Sequence, residues 1–188
     1  MKKHGRGPRK PPLTIQPTTL WDYPSQHYGR GQQGAAAYKG ATPSYVIWNL
    51  LKRYTREGDV IVDPFCGSGT TLDVCKDLNR NGIGFDLNPY RDDIQQADAR
   101  DLPLDDGTAD FVFADPPYSD NLNYSDNPAC IGKINATDHS YFEALDQAFA
   151  EMHRVMKNRR YMAIFICDYF SKKKGFVPIG THCMALLM

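Results

Sequence analysis

The chain has 188 residues, a length that suits one domain with a sizeable core. Its 41% hydrophobic and 23% charged residues are ordinary for a globular protein, and a formal net charge of zero excludes any overall electrostatic pull toward nucleic acid. No apolar run follows Met1-Lys2-Lys3 and no stretch nears the roughly 20 apolar residues of a membrane span, so neither secretion nor membrane insertion is expected, and a cytoplasmic location is. The five cysteines show no CxxC spacing and no histidines at ligand intervals, which points to reduced thiols and no metal site.

Residues 1–40 are rich in Pro, Gly and Gln without sustained periodicity, and read as an irregular arm draped over a domain that spans 41–188. Lys2, Lys3, Arg6, Arg9 and Lys10 crowd its start, either as a solvated tail or as a basic arm making salt-sensitive phosphate contacts. Thr42 or Ser44 can cap a helix in which Val46, Ile47, Leu50, Leu51 and Tyr54 recur at helical intervals. Gly58 ends it, and Val60-Ile61-Val62 is the short apolar run of a buried parallel strand. Thr70 to Leu78 predicts a helix, Gly82 to Phe85 a strand ending at Asp86, and Ile94 to Ala97 a third strand. Asp110 to Ala114 predicts a fourth strand ending at Asp115. Phe142, Leu145, Phe149, Met152 and Val155 give a helical stripe, Tyr161 to Cys167 a fifth strand, and Gly175 to Met188 the beginning of an amphipathic helix. Strands alternating with helices imply an α/β fold, a mostly parallel sheet covered on both faces. Ligands in such sheets bind beyond the carboxyl ends of the strands.

Two motifs sit at those ends. The first is Asp63-Pro64-Phe65-Cys66-Gly67-Ser68-Gly69-Thr70-Thr71. Gly67 and Gly69 suit a sharp turn with close backbone approach to a ligand, and Thr70 and Thr71 open a helix with free N–H groups. A phosphate-binding P-loop would need lysine where Gly69 stands, and a dinucleotide GxGxxG would need glycine at Leu72, so both are disfavoured. Asp63 fits a cofactor with a cationic group. Asp86 is placed to accept ribose hydroxyls, and Asp98 to accept from an adenine amino group. S-adenosylmethionine carries an ammonium, a sulfonium and a ribose, and matches all three.

The second motif is Asp115-Pro116-Pro117-Tyr118. The amines of adenine and cytosine are weak nucleophiles because their lone pair is delocalised into the ring. The Asp115 carboxylate, with the carbonyls of Asp115 and Pro116, can surround the amino hydrogens and free that pair. The prolines fix φ and remove competing donors, and Tyr118 offers a face for a flipped base. Methylation at cytosine carbon-5 would instead need a thiolate. No Pro-Cys occurs here; Cys66 and Cys75 are read as small packing residues.

With these residues the chain resembles the N6-adenine/N4-cytosine DNA methyltransferases over roughly Thr42 to Asp168. The resemblance implies a Rossmann-like class I methyltransferase domain using S-adenosylmethionine on a base amino group of DNA. Thr42, Pro43 and Ser44, with Asp63 through Thr71, then contact the methionine end of the cofactor. Asp86 and Leu87 match the ribose-binding position, Asp98 and Ala99 the adenine contacts, and Asp115 to Tyr118 the catalytic signature, whose leading aspartate leans toward adenine. Two features depart from the pattern. The catalytic motif follows the glycine loop, whereas in many relatives it precedes it, and only five of the family's seven strands are accounted for. The segment after the fifth strand reads as a helix, so an incomplete or minimal methyltransferase is expected, lacking the last hairpin. Residues 119–140, with Asn121, Asn123, Tyr124, Ser125, Asn127 and Lys133, are the local candidate for reaching bases or phosphates. Methylation of guanine N2 in tRNA and a noncatalytic binding fragment remain alternatives, and a homodimer or protein partner is compatible.

Overall fold

Ile61 and Val62 are fully buried, and their strand β1 (Val60–Asp63) lies at the centre of the sheet. A computed structural model of the chain describes residues 13–23, 25–35, 37–172 and 175–188; the basic cluster from Lys2 to Lys10 lies outside the described residues. Parallel to β1 run β2 (Asn81–Asp86) and β3 (Ile94–Gln96) on one side, and β4 (Ala109–Ala114) and β5 (Met156–Ile164) on the other. The order β3-β2-β1-β4-β5 puts the switch point between β1 and β4. Crevices for ligands open at such switch points.

The period-two alternation of β4 shows why both faces are covered. Phe111 and Phe113 point to one side, against Ile47 and Leu51 of α1 (Ser44–Tyr54) and Val74 of α2 (Thr70–Asp77). Val112 and Ala114 point to the other, against Leu145, Phe149 and Met152 of α3 (His139–Val155). Each fully buried Leu or Phe of this set contributes roughly 1.5–3 kcal/mol. The α/β architecture expected from the sequence is thus present: a Rossmann-like, five-stranded parallel sheet between helices.

Three local expectations are corrected. Strand β5 starts at Met156, directly after α3, and ends at Ile164, rather than spanning 161–167. Met156 pairs with Ala109 and Tyr161 with Phe111, so Lys157 to Arg160 bulge out of the ladder, and those charged residues hide the strand's start. Residues 175–177 are not helical. They form β7 (Gly175–Val177), paired antiparallel with β6 (Tyr169–Ser171) in a ribbon separate from the main sheet, and α4 (Ile179–Leu186) begins only after Pro178. Among the described residues the main sheet thus has five strands, as expected, and β6 and β7 pair apart from it. Finally, neither Thr42 nor Ser44 caps α1. Its N-cap is Pro43, with no side-chain cap bond, while the Ser44 hydroxyl donates to the Gln33 side chain at 3.0 Å.

Arg159, exposed in the β5 bulge, adopts φ +61°, a conformation that disfavours every residue with a Cβ. Arg159→Gly is expected to stabilise the fold by about 1 kcal/mol, read as a higher urea midpoint at unchanged slope. A lower midpoint would show that the Arg159 side chain contributes more than its backbone costs.

Candidate active site

The turn after β1 is built as glycine requires. Gly67 and Gly69 have φ of 49° and 82°, and Gly69 is the N-cap of α2. The turn is tied to β2: the Cys66 N–H donates to the Phe85 carbonyl and the Gly67 N–H to the Asp86 carboxylate, each at 2.9 Å. A Cβ on Gly67 would stand 3.0 Å from the ring of Tyr38, so the arm packs directly on the turn. Asp63 accepts from the Phe65 N–H at 3.0 Å and from the Thr71 hydroxyl at 2.5 Å. Burial pushes its carboxyl up to about 7, against those hydrogen bonds. Asp86 also accepts from the Asn88 N–H at 2.9 Å, and its carboxyl too is raised by burial.

Asp98, expected to meet an adenine amino group, lines the cavity with its carboxylate tied to Arg100. Burial alone would raise its carboxyl, but hydrogen bonds from Arg100 outweigh it and hold the group below its ordinary value. The guanidinium takes both oxygens, at 2.9 and 2.5 Å, and also reaches the Ala129 carbonyl at 2.9 Å. Asp98 and Arg100 thus fix the cavity wall beside Ala99.

Asp115, at the end of β4, accepts from the hydroxyl of Thr42 on one oxygen and from that of Tyr118 on the other. Burial pushes its carboxyl up to about 6 despite these donors. The twin-proline turn is clamped from α3, where the Tyr141 hydroxyl donates to the Pro117 carbonyl at 2.7 Å. Beyond it Ser119 (φ +62°) is fully buried and accepts from the Ala136 N–H at 2.8 Å. The ring of Tyr118, expected to stack on a base, is held by this hydroxyl bond to Asp115.

Both motifs open onto one cavity. Of the residues expected from sequence, Thr42, Asp63, Pro64, Phe65, Cys66, Gly67, Ser68, Thr70 and Thr71 line it. So do Asp86, Leu87, Asp98, Ala99, Asp115 and Pro117, whereas Pro43, Ser44, Gly69, Pro116 and Tyr118 stand outside the lining. The aromatic rings at the lining are Tyr38, Phe65, Phe113 and Tyr124. Tyr38 was hidden by the arm's lack of period; Phe113 read simply as core. Of the loop residues proposed to reach a nucleic acid, Tyr124 and Ser125 line the cavity, while Asn121, Asn123 and Lys133 are exposed. Cysteine nucleophilicity is opposed by the setting: burial pushes Cys75 up to about 12 and Cys66 well above its ordinary value.

The sequence profile of the N6/N4 DNA methylase family matches residues 2–96, half of the chain. The chain belongs to this family. Among its relatives, it is 36% identical over 72 residues to the type II methyltransferase M.HpaI of Haemophilus parainfluenzae, covering 38% of this chain and 22% of the relative. It is 44% identical over 57 residues to the type II methyltransferase M.MjaII of Methanocaldococcus jannaschii, covering 30% and 11% respectively. The chain thus spans a quarter or less of either relative's length. Among solved structures, an S-adenosylmethionine-dependent methyltransferase from Archaeoglobus fulgidus aligns with TM-score 0.44 and 21% identity, over 65% of this chain and 52% of that one.

The cofactor that goes with this family is S-adenosylmethionine, and the cavity fits it. Asp63 and Asp86 offer carboxylates whose charge burial makes costly, a cost that a cationic or hydroxyl-bearing ligand relieves. The buried Ser68 hydroxyl, at the cavity wall and without a hydrogen-bond partner, is a further group for a ligand to satisfy. No helix among the described residues is long and apolar enough to cross a membrane.

Proposed function

We propose that the chain transfers a methyl group from S-adenosylmethionine to an exocyclic amino group of a base in DNA, favouring N6 of adenine over N4 of cytosine. The observation that supports this most is that Asp115 and the glycine turn line one cavity. Bound there, S-adenosylmethionine supplies an electrophilic methyl on a sulfonium. Asp63 would hold its cationic end and Asp86 its ribose, and Tyr38 and Tyr124 would supply faces for the planar groups. Asp115 accepts from the target amino hydrogens and, with the carbonyls of its turn, draws the nitrogen toward tetrahedral geometry. With the methyl donor bound, the lone pair so freed would displace the sulfide from the methyl carbon, and the proton lost from nitrogen would pass to water. Alignment and fixed charge supply most of the acceleration.

The test is transfer of labelled methyl to duplex DNA, single-stranded DNA and tRNA, followed by digestion to nucleosides. N6-methyladenine is expected. N4-methylcytosine would move the target base, methylguanine from tRNA would replace DNA by RNA, and no product with intact cofactor binding would overturn the catalytic reading.

The acidity of Asp63 predicts a pH dependence. Its folded carboxyl is raised to about 7, so it is mostly protonated at pH 6 and mostly ionised at pH 8. A cationic ligand prefers the ionised form, so S-adenosylhomocysteine, which keeps the ammonium, is expected to bind about tenfold more weakly at pH 6 than at pH 8 by calorimetry. Flat affinity, or tighter binding in acid, would remove Asp63 from the cation site.

A further inference from the structure

We propose that Thr42 is a positioning residue: its hydroxyl holds the Asp115 carboxylate in the orientation that meets the target amino group. The proposal rests on the amino-methyltransferase reading above and gives that site its missing support. Thr42 stands just before α1, where a threonine would ordinarily cap the helix, yet the N-cap is Pro43 and carries no side-chain bond. The buried Thr42 hydroxyl reaches instead across 73 positions of sequence to Asp115 Oδ2.

The backbone on both sides of Thr42 is pinned by one arm residue. Gln26 donates its side-chain amide to the Ala41 carbonyl at 2.7 Å and accepts the Ser44 N–H on its own carbonyl at 3.0 Å. The hydroxyl is therefore presented from a fixed point. Tyr118 holds the second oxygen. One donor on each oxygen sets the plane of the carboxylate and leaves each oxygen a further lone-pair site for the base, since a carboxylate offers about four. Because Tyr38, Gly40 and Ala41 of the same segment line the cavity, the strip of chain beside the cofactor also orients the catalytic group.

The charged and titratable groups around Asp115 are Asp63 at the end of β1, Tyr38 of the arm, Tyr118 and Tyr124 after β4, and Cys167 after β5. Burial raises the Asp115 carboxyl, and the Thr42 and Tyr118 hydroxyls oppose it. Deleting the Thr42 hydroxyl removes a hydrogen bond to the ionised form, so titration moves further upward.

The experiment compares Thr42→Val, Thr42→Ala and Thr42→Ser with the parent chain in two ways. Infrared titration of the unliganded protein, with the Asp115 band assigned through Asp115→Asn, reads the carboxyl directly. Steady-state methyl transfer reads kcat and the KM for cofactor. Both deletions are expected to raise the Asp115 titration midpoint, move the acidic limb of kcat upward, and lower kcat roughly ten- to a hundredfold, with the cofactor KM little changed. Thr42→Ser is expected to restore the midpoint and most of kcat. An unmoved midpoint in the deletions overturns the proposal. So does a deletion that weakens cofactor binding alone, which would make Thr42 a ligand contact. Because the titration needs no substrate, a chain that methylates no base would sink the functional reading while the Thr42–Asp115 link was still decided.

Discussion

Asp115→Asn is expected to lower kcat for methyl transfer by about a thousandfold or more, while the affinity for S-adenosylhomocysteine changes little. The carboxylate is the charged acceptor at the end of β4, and its titration near 6 leaves it mostly ionised at neutral pH. The amide that replaces it has one acceptor and two donors, so it cannot take both the Thr42 and Tyr118 hydroxyls and still accept from an amine. The cofactor-facing groups Asp63 and Asp86 stand on different strands, β1 and β2, and are untouched by the change. Rate measured at saturating cofactor beside calorimetric affinity separates the two effects. Joint loss of rate and affinity would assign Asp115 to holding the cavity together, and an unchanged rate would remove it from the chemistry.

Asp86→Ala is expected to act in the opposite sense, weakening cofactor binding about a hundredfold with a smaller effect on kcat at saturation. Asp86 does two jobs. Its Oδ2 anchors the Gly67 N–H, fixing a turn whose backbone sits in a left-handed conformation, and its carboxylate faces the cavity where a ribose would lie. Alanine removes a charged acceptor and lets the turn relax, so both the contact and the pre-formed shape are lost. Hydrogen bonds to charged groups are each worth about 1.5–3 kcal/mol, enough for the effect. Calorimetry with S-adenosylhomocysteine checks it, and unchanged affinity would place the ribose elsewhere.

What was legible in the sequence was whatever is written in local pattern. Ile61-Val62 and Phe111-Val112-Phe113 are apolar runs that only a doubly covered parallel strand buries, so β1 and β4, and with them the positions of Asp63 and Asp115, could be read directly. Gly67 and Gly69 announced left-handed turns, and both adopt them. The rest depends on contacts distant in sequence or on broken periodicity. Lys157 to Arg160 loop out of β5 and mask its start. The β6–β7 ribbon pairs Phe170 with Phe176, both largely exposed, so no buried alternation marks it. Thr42 looked like a cap because capping is the local use of a hydroxyl before a helix; its partner lies on β4. The ion pair of Asp98 with Arg100, two positions on, gives no periodic signal. Tyr38 sits in an arm without pattern, and only the folded chain brings its ring against Gly67.

The most direct measurement is a crystal structure of the chain with S-adenosylhomocysteine. The expected result is the amino-acid end beside Asp63 and Ser68, the ribose at Asp86, and the sulfur turned toward Asp115. A nucleoside bound outside this cavity, or one seated in it with the sulfur facing away from Asp115, would contradict a reaction carried out between the two turns.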